Sequence, residues 1–128
     1  FLSPPYLGGV MTDDTISVNT RKLTLPSENP FFFNGKAGKG IGSPHTGLDR
    51  IWPISLVMQG LTSTSDTEIR QCLQTLRQCH AGTGFMHESF HKDSPKEFTR
   101  SWFAWANTIY GEFLWKTFQH KPQLLKMK

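Results

Sequence analysis

The chain has 128 residues, of which 37% are apolar and 12% aromatic, enough for one domain with a modest core and too aromatic for a disordered segment. Its net charge of +4 is spread over single Lys and Arg residues, without the basic patch or stripe that nucleic-acid binding requires. No apolar run approaches a membrane span, and the five histidines and two cysteines show neither CxxC nor HExxH spacing for a metal.

Residues 1–47 are rich in Gly, Pro, Ser and Asn. Pro4-Pro5, Gly8-Gly9, Pro26, Asn29-Pro30 and the run NGKAGKGIGSP at 34–44 are turn and loop signals. TRKLTL (20–25) alternates well enough for a short strand, and FFF (31–33) is a short apolar run. This stretch therefore predicts irregular structure with at most one hairpin. A loop region of that length is uncommon unless it serves a function or packs on something outside the chain. The opening FLSPPYLGG has no initiator Met and reads as the interior of a longer protein, so a targeting segment upstream would not be visible.

From residue 48 the period becomes helical. Ile51, Ile54, Met58 and Leu61 recur at i+3/i+4 steps, with Leu48 and Val57 widening the stripe. Pro53 is tolerated in a first helical turn, which predicts a helix over about 53–62. Ser65 and Glu68 have capping-box spacing and open a second helix with Ile69, Cys72, Leu73, Leu76 and Cys79 on its apolar face, ended by Gly82. Seven residues along one helix separate the two cysteine Cα atoms by about 10 Å, beyond the roughly 7 Å reach of a disulfide. They read as buried thiols, which fits a reducing compartment. Ser94, Pro95 and Glu97 give a third start signal. The helix they predict carries Phe98, Trp102, Trp105, Ile109 and Phe113, with Ala106, Leu114 and Trp115 beside them, and stops before Pro122. The expected fold class is all-α: about three main helices, antiparallel by their short connections, behind a long irregular N-terminal stretch. Their apolar surface exceeds what three helices can cover, which points to a larger helical array.

Three stretches carry candidate chemistry. GKGIGSPHTG (38–47) is glycine-rich before a helix, but it lacks the Lys-Ser/Thr ending and the preceding buried strand of a phosphate loop. The simpler reading is a tight turn, with Gly40 and Gly42 at positive φ and Ser43 or Thr46 capping a helix. His45, at the mouth of that turn, is placed to donate to a ligand hydroxyl. In AGTGFMHESFHKDSP (81–95), Gly82 and Gly84 let the chain leave the helix sharply, so Phe85, Met86 and Phe90 are expected to be buried. A carboxylate held among such side chains is partly desolvated, which suits proton transfer near neutral pH. The other reading is a solvent-facing Glu88 on a loop pinned by aromatics, and composition does not choose between them. His87 and His91 are general acids or surface groups, with no partner identifiable from spacing. In TRSWFAWAN (99–107) an exposed indole would offer a platform for a sugar ring. Trp105, central in the apolar stripe, reads as core, whereas Trp102 and Arg100 lie near the helix start, on the side of Glu88.

Taken together, GIGSPHTGLDRIWPISLVMQGLTSTSDTEI, GTGFMHESF and FTRSWFAWANTIYGEFL closely resemble the C-terminal part of glycoside hydrolase family 125, a family of metal-independent exo-α-1,6-mannosidases. SPPYLG and NPFFFNGKAGKG resemble the segment before those motifs, so the resemblance covers almost the whole chain. It implies a fragment of an (α/α)6 barrel around a pocket for one non-reducing terminal mannose of a glycan. It also implies hydrolysis with inversion and without metal or cofactor. Glu88, in HESF, matches the family's general base. His45, in GSPHT, and Arg100 and Trp102, in FTRSWF, fall in motifs expected to line the sugar pocket. The family's general acid is an aspartate further toward the N-terminus than this chain reaches, and none of Asp13, Asp14, Asp49, Asp66 or Asp93 occupies its motif. Residues 1–128 would then be the C-terminal part of one catalytic domain, loop-rich over 1–47 and built of helical hairpins over 48–128. Such a piece is expected to be inactive without the missing N-terminal part. The competing expectation is a non-catalytic module that binds mannose-containing glycans through Trp102 and His45. Family members occur both inside bacterial cells and in the fungal secretory pathway, so the resemblance leaves localisation open.

Overall fold

The structure, a computed structural model, describes residues 2–126. Its first helix, α1 (Thr15–Thr24), occupies the place where alternation suggested a strand at 20–25. The Asp14 carboxylate accepts the Ile16 N–H at 2.8 Å and nucleates the helix. Helical period then turns Ser17, Arg21 and Thr24 inward, while Ile16 and Leu23 face out. The polarity of this helix is thus inverted, and for that reason its period was hidden.

The expected hairpin forms between β1 (Phe32–Asn34) and β2 (Lys39–Ile41), antiparallel with Phe33 opposite Gly40. The glycines near it are explained by close packing, not by positive φ as the sequence suggested. A Cβ on Gly40 would lie 3.0 Å from both Ile51 and Leu56, and one on Gly42 would lie 1.9 Å from the Arg50 carbonyl oxygen. Ser43 and Thr46 do not cap a helix either. The Ser43 hydroxyl accepts the His45 N–H, and the Thr46 hydroxyl accepts the Trp52 indole N–H at 2.8 Å.

A second sheet corrects the all-α expectation. β3 (Arg50–Ile51), β4 (Ser89–His91) and β5 (Ser94–Thr99) are antiparallel in the order β3-β4-β5. The start signal at Ser94, Pro95 and Glu97 therefore belongs to a strand. β5 is an edge strand, where the missing N–H of Pro95 is tolerated, and Phe98 pairs with Phe90 across the ladder. The chain turns out of β5 at Arg100, which has φ +47°, and the last helix, α4, covers Ala104–His120.

The other two helices agree with the sequence. α2 spans Pro53–Leu61 and α3 spans Asp66–Cys79. Half of the capping box is made, the Ser65 hydroxyl accepting the Glu68 N–H at 3.4 Å. The Glu68 carboxylate turns elsewhere, to Arg21 at 2.6 Å, Gln59 at 2.8 Å and the Ser63 hydroxyl, and so ties α1 to α2 and α3. Among the described residues there are four α-helices, not three, followed by a short 3-10 turn at Pro122–Leu125 that buries Leu124.

One core joins these parts. Ile51, Leu56, Val57, Leu73, Leu76, Phe90 and Phe113 are at its centre, and α2 packs against both α3 and α4. Cys72 and Cys79 are free and buried, and burial pushes both thiols up to about 12. α4 turns Ala106, Ile109, Phe113 and Thr117 inward. Trp105, expected in the core, is exposed, as are Trp115 and Phe118.

Candidate active site

Glu88 stands at the entry to β4, on the strand between the two others of its sheet. Its backbone N–H donates to the Thr99 carbonyl at 3.1 Å, and the neighbouring Ser89 hydroxyl lies 2.7 Å from the Thr99 hydroxyl. The residue is only 7% exposed, so the solvent-facing reading of Glu88 is set aside. Met86 and Phe90 on either side are buried as expected, but Phe85 is half exposed and forms no part of the anchor.

Two of the three residues paired with Glu88 by motif meet its carboxylate. Arg100 Nε lies 3.4 Å and His45 Nε2 3.9 Å from Glu88 Oε1. Both distances exceed the range of about 2.7–3.2 Å usual for N–H···O bonds, so the two groups flank the oxygen without occupying its lone pairs. They reach it from distant parts of the chain. The left-handed turn at Arg100 swings its guanidinium back from the end of β5, and its Cζ lies 5.7 Å from the Phe103 ring centre. His45 comes from the loop after β2, edge-on to Trp52 with ring centres 6.2 Å apart. Both side chains are mostly open to solvent, so the buried Glu88 carboxyl group is flanked by two polar groups that a ligand can reach. Trp102, two residues beyond Arg100, presents an exposed indole, but the structure does not bring it against the Glu88 carboxylate.

Sequence spacing gave His87 no partner, and the structure makes it neither a general acid nor a surface group. The ring is fully buried and stacks on Phe98 at 3.8 Å, with Nδ1 2.8 Å from the Ser101 carbonyl and Nε2 3.3 Å from that of His80. It joins the end of α3 to the turn that carries Arg100 and Trp102. His91 is the last residue of β4, and its Nδ1 accepts the Asp93 N–H. Asn107 was also missed. Its carboxamide bonds the backbone of Phe103, one helical turn back, and of Met86, 21 residues away, a pairing that no local pattern signals. A groove of about 400 Å³ lies beside the His45 loop, lined by Phe31, Ile41, Ser43, Ile54, Met58 and Trp105, and does not include Glu88.

The family described as metal-independent alpha-mannosidase (GH125) matches residues 1–115. The chain is 51% identical over 126 residues to the meiotically up-regulated gene 157 protein of Schizosaccharomyces pombe (strain 972 / ATCC 24843), covering 98% of this chain and 25% of that protein. It is also similar to a Streptococcus pneumoniae protein of a family of metal-independent alpha mannosidases, solved in a non-productive substrate complex with alpha-1,6-mannobiose. The TM-score is 0.88 at 43% identity, over 94% of this chain and 28% of that one. The chain thus spans about a quarter of the length of the relatives it matches. With the family matched across both the His45 loop and the Glu88–Trp102 segment, the chain belongs to the metal-independent alpha-mannosidases of glycoside hydrolase family 125.

Proposed function

We propose that this chain is the C-terminal part of the catalytic domain of an exo-α-1,6-mannosidase, and that Glu88 is its general base. The observation that carries the reading is the buried Glu88 carboxyl group flanked by the solvent-exposed side chains of Arg100 and His45. Family membership supports mannose as the sugar, and the mannobiose bound by the pneumococcal relative supports the α-1,6 linkage.

The chemistry is a single displacement. A carboxylic acid, supplied by an aspartate outside these 128 residues, protonates the leaving glycosidic oxygen. Glu88 takes a proton from water on the opposite face of the ring, and that water attacks the anomeric carbon and inverts its configuration. The two carboxyl groups need a separation of about 6.5–9.5 Å to admit the water. Arg100 and His45 flank the carboxylate without filling its lone pairs, which leaves an oxygen free to take the proton from water, and they bind mannose hydroxyls. Trp102 offers a flat apolar face for the sugar ring. No metal ion or cofactor takes part in this scheme.

The test is Glu88→Gln in the complete enzyme, assayed on α-1,6-mannobiose. The amide keeps the shape and removes the base, so turnover should fall at least about 1,000-fold while mannobiose binding persists. Near-normal turnover rules out Glu88 as the base. The exposed Trp102 indole favours one other reading, a glycan-binding module without activity. It predicts saturable mannobiose binding but no hydrolysis by any form of the protein, including the complete one.

A further inference from the structure

We infer that Asn107, in the first turn of α4, is a positioning residue for Glu88; the inference rests on the reading of Glu88 as general base. The Asn107 carboxamide pairs with both polar groups of a single backbone residue. Its Oδ1 accepts the Met86 N–H at 3.0 Å, and its Nδ2 donates to the Met86 carbonyl at 2.9 Å and to the Phe103 carbonyl at 2.8 Å. The Phe103 N–H adds a further bond to the Met86 carbonyl at 3.1 Å. Met86 is 3% exposed, so water cannot replace these partners. The side chain does here what a neighbouring strand would do, pairing with both the N–H and the C=O of one residue.

This clamp matters because of what lies on each side of it. Upstream, the connection from α3 is irregular, with positive φ at Ala81, Gly82 and Gly84, and Phe85 is half exposed. Downstream, Glu88 bonds Thr99 through its N–H, and Ser89 opens the β4–β5 ladder opposite Thr99. Glu88 thus follows two held residues, Met86 in the Asn107 clamp and the buried His87, and is itself tied to β5. A base must keep its water in line with the anomeric carbon, and a misplacement of about 1 Å costs on the order of 100-fold in rate. Few side chains can replace this one. Aspartate has the acceptor but no donor, and serine lacks the second arm.

The test uses Asn107→Asp, Asn107→Gln and Glu88→Gln in the complete enzyme, with α-1,6-mannobiose as substrate. Asn107→Asp keeps the shape but sets an anion against two carbonyl oxygens. It should lower kcat by about 100-fold and leave KM within about threefold, because the sugar-binding groups are untouched. Asn107→Gln keeps donor and acceptor one methylene further out. It should keep a cooperative thermal transition and lose about tenfold in kcat, and it decides the matter if the aspartate variant does not fold. Values of kcat within about threefold of the unmodified enzyme overturn the positioning role. So does a rise in KM that matches the fall in kcat. Glu88→Gln separates the two claims. Full activity there would show that the assignment of the base has failed, whereas a dead Glu88→Gln beside fast Asn107 variants would sink the Asn107 inference alone.

Discussion

His87 makes a case at the scale of single residues, because a buried polar ring is held on every side by groups that the sequence does not pair with it. Both ring nitrogens face carbonyl oxygens, Ser101 at 2.8 Å and His80 at 3.3 Å, and one face lies on Phe98. Replacing it with alanine empties a buried, ring-sized space and breaks the bond to Ser101. His87→Ala should therefore lower the unfolding free energy by about 3–5 kcal/mol. His87→Phe keeps the stack and the volume, so the expected loss is smaller, about 1–2 kcal/mol. Urea-unfolding midpoints measure both, and equal losses would deny the ring stack its part. Much of the site was out of reach of sequence for the same physical reason. HESF marks Glu88 as a candidate, and the GSPHT and FTRSWF motifs mark His45 and Arg100. The partners of His87 and Asn107 are backbone carbonyls and amides, which carry no residue identity and exist as a pair only after the chain has folded.

Helices show a similar division between local and tertiary control. α2 and α3 were legible because their stops and starts are chemical: Pro53 in a first turn, Ser65 as cap, Gly82 at φ +86° after the end. α1 was missed because its apolar residues face solvent. The start of α4 was misplaced because Ser-Pro-x-Glu fits an edge strand as well as a helix cap, and pairing with β4 decided it. Two glycines show how far packing overrides helical preference. Gly111 in α4 has no atom within 4 Å of where a Cβ would sit, while a Cβ on Gly60 in α2 would lie 2.3 Å from the Phe113 ring. Gly111→Ala should thus stabilise the chain by about 0.5–1 kcal/mol through helix propensity alone. Gly60→Ala should destabilise it by about 1–3 kcal/mol, since overpacking outweighs that gain. The two midpoints should shift in opposite directions under urea. Shifts of the same sign would mean that the α2–α4 contact is looser than the structure shows.

For the molecule as a whole, the decisive quantity is the apolar surface left uncovered. Trp102, Trp105, Trp115 and Phe118 are each more than half exposed, and Ile16, Leu23 and Leu48 face solvent elsewhere. Monomers rarely leave so many large apolar side chains in water without a partner. The relatives are about four times as long as this chain, which spans 25% and 28% of two of them. On the proposed function, the rest of the catalytic domain covers these faces and carries the acid. Two outcomes should then appear together. The 128 residues alone should give no turnover of α-1,6-mannobiose, because a base without an acid leaves the glycosidic oxygen unprotonated. Co-expression with a separate segment corresponding to the N-terminal three quarters of the relatives should restore turnover, shift tryptophan emission to the blue as the indoles leave water, and give a single cooperative melting transition. Hydrolysis by the isolated chain would show that it holds an acid of its own. Restored melting without turnover would instead favour the glycan-binding reading, in which burial is recovered but chemistry is not.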